Sequence, residues 1–163
     1  MLAGQRSSIE ELAMKNNEFK QRVVIEGKIQ FLVDLDERLL QGGVIISEWA
    51  AFLIRDADIS FVGGANLSSI IISLAAIEAY LRSESVSGGK RFVELIINSD
   101  LDEDLKQELH ALRKYRNQWV HVAAPWDDAL LLGSPELLEK ELGQIARRSI
   151  IALRHTMYSN QWV

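Results

Sequence analysis

Cysteine is missing from this 163-residue sequence, which excludes disulfides, thiolate metal sites and a cysteine nucleophile. Proline occurs twice and histidine three times, so few positions interrupt a helix and each imidazole is worth locating. Long hydrophobic runs are also lacking. The longest, 67–81, carries Glu78 and falls short of the roughly 20 residues a membrane span needs, and 1–17 has no apolar signal core. The expectation is a cytoplasmic protein with no membrane segment. Basic charge is scarce too: the net charge of −5 argues against gripping long nucleic acid by charge alone.

Familiar site motifs are equally scarce. Asp100, Asp102 and Asp104 have calcium-loop spacing, but Leu105 stands where glycine is required and Ala111 where the closing glutamate should be. The stretch 87–90 hints at a phosphate loop but lacks the first glycine and the final Ser or Thr. His110 and His121 sit three helical turns apart, too far to share an ion on a straight helix. No metal and no cofactor is expected.

What is present is helical periodicity. With nearly half its residues apolar (48%), the chain can bury one core, and no repeat or linker divides it. Residues 1–163 read as a single all-α domain, an antiparallel helical bundle of about five to seven helices. A capping-box start at Ser7 or Ser8 opens a helix over 7–22. Residues 1–22 are thin in apolar content and read as mobile or lying against a partner. From 23 to 40, Ile25, Ile29, Leu32, Leu35 and Leu39 form a stripe, continuous or not with the first helix, which Gly42 and Gly43 end.

Residues 44–55 read as helix through Ile45, Trp49, Phe52 and Leu53, and 56–66 as a connector with Gly63 and Gly64 as breakers and Asn66 as an N-cap. Trp49 and Phe61 read as core or interface. The span 67–83 should be the central buried helix, through Leu67, Ile70, Ile71, Leu74, Ile77 and Leu81. Residues 85–89 form a loop and 91–97 a short helix. Ser99 or Asp100 caps the next helix. After Pro125 a loop or short turn leads to a final helix over 136–159.

The functional signal lies in 105–122. Leu105, Leu109, Leu112, Trp119 and Val120 line one stripe, and Arg116 falls in its gap, where an unpaired charge would be costly. Glu78 likewise interrupts an apolar stripe, so a pairing with Arg116 or Arg113 is one reading and a solvated helix shoulder the other. His121 follows five residues after Arg116. Pro125 should end the helix near 122–124, leaving His121 in the last turn. His110, Arg113, Lys114, Arg116 and His121 make a compact basic patch on an acidic body, with Lys90 and Arg91 a second cluster.

Tyr115 to His121, YRNQWVH, resembles the RNxxxH signature of the HEPN superfamily, small all-α domains with this motif near a helix end. The resemblance implies a metal-independent endoribonuclease, a toxin or phage-defence effector acting as a homodimer with two motifs across one cleft. By position it makes Arg116, Asn117 and His121 catalytic. RNA would be cleaved by 2'-hydroxyl attack on the adjacent phosphate, with His121 moving a proton, Arg116 holding the phosphate, and Asn117 orienting the imidazole or donating to the phosphate. Glu78 and Arg113 would support the site, and Tyr115 and Trp119 would wall it. A cognate antitoxin or a nucleotidyltransferase is the implied protein partner. The rival readings are a non-catalytic helical dimerisation or interaction module, and a nucleotide-binding domain in which Arg116 holds phosphates without chemistry.

Overall fold

The computed structural model describes residues 2–85 and 89–162, with side chains from Met14 onward. Seven helices account for most of them: α1 Leu2–Leu39, α2 Glu48–Val62, α3 Asn66–Glu84, α4 Phe92–Asn98, α5 Glu103–Val120, α6 Ala129–Gly133 and α7 Pro135–Met157. Among the described residues there is no strand, only an isolated antiparallel bridge between Gly43 and Trp162. The fold is an all-α helical bundle, as the periodicity predicts. No helix among the described residues is long and apolar enough to cross a membrane. Val86, Ser87 and Gly88, from the loop expected at 85–89, lie outside the described residues.

Helix α3 is central, packed most extensively on α2 and α7 and also touching α4 and α5. Ile70, Leu74, Ile77 and Leu81 are buried as predicted, but Leu67 and Ile71 are only partly so. Their expected place is taken by Ser69, Ser73 and Ala76, each fully buried. Small side chains bring α3 close to its neighbours, and the Ser69 hydroxyl spends its hydrogen on the Ala57 carbonyl of α2, 3.3 Å away. Asn66 is the first helical residue rather than the cap, which falls on Ala65.

Helix α2 departs from the sequence reading at both ends. It begins at Glu48, with the Ser47 hydroxyl accepting from the Ala50 amide at 3.2 Å. It then runs through most of the expected connector, because Ala57 and Phe61 continue its buried face. Gly64 ends it at φ +81°, a conformation in which glycine carries no Cβ penalty. Trp49 is 75% exposed, so of the two aromatic residues only Phe61 enters the core.

Helix α1 is one continuous helix, and the start expected at Ser7 or Ser8 falls inside it, with those side chains outside the described residues. Every side chain over 14–27 is exposed. The helix meets the bundle only from Lys28 onward. There the ammonium donates to the Phe61 carbonyl at 2.7 Å, Phe31 packs on Phe61, and Leu35 is fully buried. Ile25 and Ile29 of the expected stripe stay 40% and 48% exposed.

The same end of α1 is clasped by residues much later in the chain. Arg154 of α7, only 3% exposed, donates through Nε to Asp36 of α1 and through Nη2 to Asp58 of α2, both at 2.7 Å. The Tyr158 hydroxyl donates to the same Asp36 carboxylate at 2.8 Å. Gln161 accepts from the amides of Gln41 and Gly42 and donates to the Leu39 carbonyl. Gly42 and Gly43 are therefore needed less as helix stops than as a place where backbone meets backbone. A Cβ on Gly42 would run into the Trp162 carbonyl, and one on Gly43 into the Trp162 indole.

Candidate functional site

The N-cap of helix α5 falls two residues after Asp100, the later of the two caps expected: it is the Asp102 carboxylate, accepting from the Leu105 amide at 2.8 Å. Leu105, Leu109 and Leu112 face the core, which fixes the rotation of the helix. Arg116 continues that stripe toward α3 and α4, while Tyr115 lies on its flank toward α7. The helix ends at Val120, earlier than expected, and His121 is its C-cap, out of helical geometry at φ −127° and ψ 60°.

Arg116 leans toward α3 and α4. Its side chain is 18% exposed. Its Nε and Nη2 both donate to the Asn117 carboxamide oxygen, at 3.3 and 3.0 Å. Its Nη1 lies 3.8 Å from the Glu78 carboxylate, inside ion-pair range but beyond a hydrogen bond. The guanidinium carbon sits 5.6 Å from the centre of the Phe92 ring. Glu78 does meet Arg116, then, but its closer partner is Arg82 one turn on, at 2.6 Å. The Glu78 to Arg82 spacing of four residues is the signal in the sequence that could have found this pair.

Arg82 also donates to the Lys90 carbonyl at 2.9 Å, and Arg91 pairs with Glu94 at the start of α4. Arg116 of the first basic cluster and Lys90 and Arg91 of the second are thereby brought to one corner of the bundle, where α3, α4 and α5 meet. Arg113 leaves its Nε buried with no hydrogen-bond partner among the described residues. It is not bonded to Glu78.

Asn117 and His121 are joined only through the backbone, the His121 amide donating to the Asn117 carbonyl at 3.0 Å. The Asn117 side chain orients Arg116, not the imidazole. The imidazole is exposed and has no hydrogen-bond partner among the described residues, and none joins it to Arg116.

Tyr115 and Trp119 do not flank Arg116. They pack on each other, ring centres 6.3 Å apart, on the α7 side of α5. Burial pushes the Tyr115 phenol up to about 12, with the Glu141 carboxylate of α7 adding to the shift. Trp119 lines a groove of about 310 Å³ with Asn66, Leu131, Leu138 and Leu142. A larger polar cleft, about 440 Å³, is lined by Tyr80, Glu84, Lys90, Asn98, Asp100 and Asn160. Neither contains Arg116 or His121. Among the described residues no group of three or more His, Asp or Glu is gathered as a metal would require. Among the described residues, one chain thus offers an oriented arginine and an exposed imidazole without a hydrogen-bond partner, and neither cavity takes in both. No protein-family model, curated protein sequence or solved structure matches this chain.

Proposed function

We propose that the chain is a metal-independent endoribonuclease of HEPN type, with a cleft completed by a second copy. One observation carries the reading. Arg116, largely buried at 18% exposure, is held in direction by Asn117 and Glu78, while His121, five residues on, presents an imidazole to solvent. A guanidinium so held is preorganised for two oxygens of a phosphodiester, and a solvent-facing imidazole can move the proton.

In the proposed reaction the imidazole of one copy takes the proton from a ribose 2'-hydroxyl. The 2'-oxygen attacks the adjacent phosphorus, and the 5'-oxygen leaves with a proton from the other copy's imidazole. The product is a 2',3'-cyclic phosphate and a free 5'-hydroxyl. Arg116 stabilises the charge gathering on the non-bridging oxygens. Such an activity fits a cytoplasmic toxin or phage-defence effector restrained by an antitoxin.

A second reading is favoured by a specific observation: the Arg116 donors are already engaged inside the chain, as they would be in a non-catalytic module that dimerises or docks on a nucleotidyltransferase. The two separate in one experiment. Wild type, His121→Ala and Arg116→Ala are incubated with RNA in chelator, and the ends are analysed. The nuclease reading expects cyclic phosphate ends from wild type and a loss of about 10² to 10⁴ in rate for His121→Ala. Cleavage that survives both substitutions overturns the assignment. A dimeric wild type that cuts nothing establishes the module.

A further inference from the structure

Besides an apolar face along α2 and the turn before it, where Ile45, Trp49 and Ile59 are 62–76% exposed, two surfaces among the described residues are apolar and uncovered. The first is the α1 arm, where every side chain over 14–27 is exposed, Met14, Phe19, Val23 and Val24 among them. The second is the connector from α5 to α7, where every side chain over 121–137 is exposed, including Trp126 at 95% and Leu130, Leu132 and Leu137 at 67–71%. We infer that these two surfaces cover each other between two copies of the chain: the α1 arm of one lies on the 121–137 connector of the other, and reciprocally.

Three features of the surfaces support this occupant. The first is charge. Between residues 118 and 139 there is no Lys or Arg, while Asp127, Asp128, Glu136 and Glu139 lie among the apolar side chains; over 14–27 of the arm, Lys15, Lys20 and Arg22 outnumber two acids, Glu18 and Glu26. The second is area. The large apolar side chains of the connector expose on the order of 800 Å², and those of the arm several hundred more, so a twofold pair of such contacts reaches the size of a stable interface, about 800 Å² per partner. The third is pattern. Phe19, Val23, Val24 and Ile25 wrap around the arm and do not repeat at the spacing of a coiled-coil seam, which disfavours arm against arm and suits a helix lying in a cradle.

The contact deepens the proposed dimeric site by naming its interface, and it rests on that reading only in requiring a second copy. The connector begins at His121, so an arm seated there brings Lys20 and Arg22 of one copy to the side of the bundle where the imidazole of the other stands. The composite cleft would gain cations that neither the motif nor the single chain supplies.

The absence of native cysteine makes the test direct. Full-length Phe19→Cys and Leu131→Cys chains, both changed at exposed positions, are mixed under copper phenanthroline oxidation, and linked peptides are identified by mass spectrometry. The expected product is a disulfide joining the two different chains. Adding Asp127→Lys and Asp128→Lys to the Leu131→Cys chain should reduce its yield at least tenfold, and adding Lys20→Glu and Arg22→Glu to the Phe19→Cys chain should restore it. Self-linkage of the Phe19→Cys chain as the main product overturns the proposal, as does a monomer by light scattering or a dimer that yields no mixed link. RNA cleavage is not read, so a pair that links but cuts nothing upholds the contact and removes only the nuclease reading.

Discussion

Two arginines sit among apolar side chains, and the surroundings give them opposite duties. Arg154 is enclosed, with two carboxylates for its charge. Burial lowers its pKa, but Asp58 and Asp36 more than offset this and the net shift is upward. Removing one partner of such a group leaves the others buried and uncompensated. Arg154→Ala should therefore lower stability by about 3–5 kcal/mol, the range for breaking a buried pair, in urea denaturation. A loss below 1 kcal/mol would show that the carboxylates find water instead. Arg116, with a carboxamide and a distant carboxylate as partners, is held less firmly, as the proposed contact with a phosphate requires.

Tyr158 adds a pH dependence to the clasp. Burial pushes its phenol up to about 12 from an ordinary 10.0, and its acceptor Asp36 opposes ionisation further, with Arg154 partly relieving it. The folded value lies above the unfolded one, so this stabilisation is whole below pH 10 and disappears as pH rises toward 12. The gap in melting temperature between wild type and Tyr158→Phe should accordingly narrow from pH 9 to 12. A gap that holds constant would mean that the phenol contributes only packing. Arg116 was legible in the sequence because it breaks an apolar stripe. Arg154 breaks one too, beside Ile150, Leu153 and Met157, but its partners lie 118 and 96 residues away, and periodicity carries no information across such distances.

Among the elements, α1 divides at Gly27 into an arm and a seated half. A Cβ there meets nothing, so Gly27→Ala exchanges the residue with the largest backbone entropy for the best helix former. It should stabilise the helix by about 1 kcal/mol, visible as slower amide exchange over the arm. Gly43→Ala should do the reverse to the whole fold, because the new Cβ collides with the Trp162 indole; an unchanged urea midpoint would show that Trp162 can step aside. Helix positions and types were largely legible, α3 and α7 most clearly, because their buried faces repeat at helical spacing. The reach of α2 was not. Asp56 and Asp58 look like a turn, yet Asp58 points inward to Arg154 and the backbone never leaves the helix. The end of α5 was misplaced by a few residues because Pro125 limits the helix without fixing the cap.

At the level of the whole molecule, the bundle buries one core and leaves apolar surfaces bare, the α1 arm and the 121–137 connector among them. If a second copy covers them, melting temperature rises with protein concentration, as it must whenever association stabilises the folded state alone. Calorimetry between about 1 and 100 μM tests this, and a melting temperature independent of concentration counts against the dimer. The all-α class was legible because it depends on pattern within each helix. Where α1 leaves the bundle was not, since the same apolar residues recur before and after Lys28 and only the size of the neighbouring surface decides which are covered. Nor was the separation of Tyr115 and Trp119 from Arg116, which follows from how Leu105, Leu109 and Leu112 rotate α5.

The clasp on α1 also orders events in time. Asp36 is 118 residues ahead of Arg154, so during synthesis α1 emerges from the ribosome long before the guanidinium that secures it exists. The α1 contacts with Phe61 can form earlier, but the clasp itself waits for α7, and a chain stalled before it would lack that clasp.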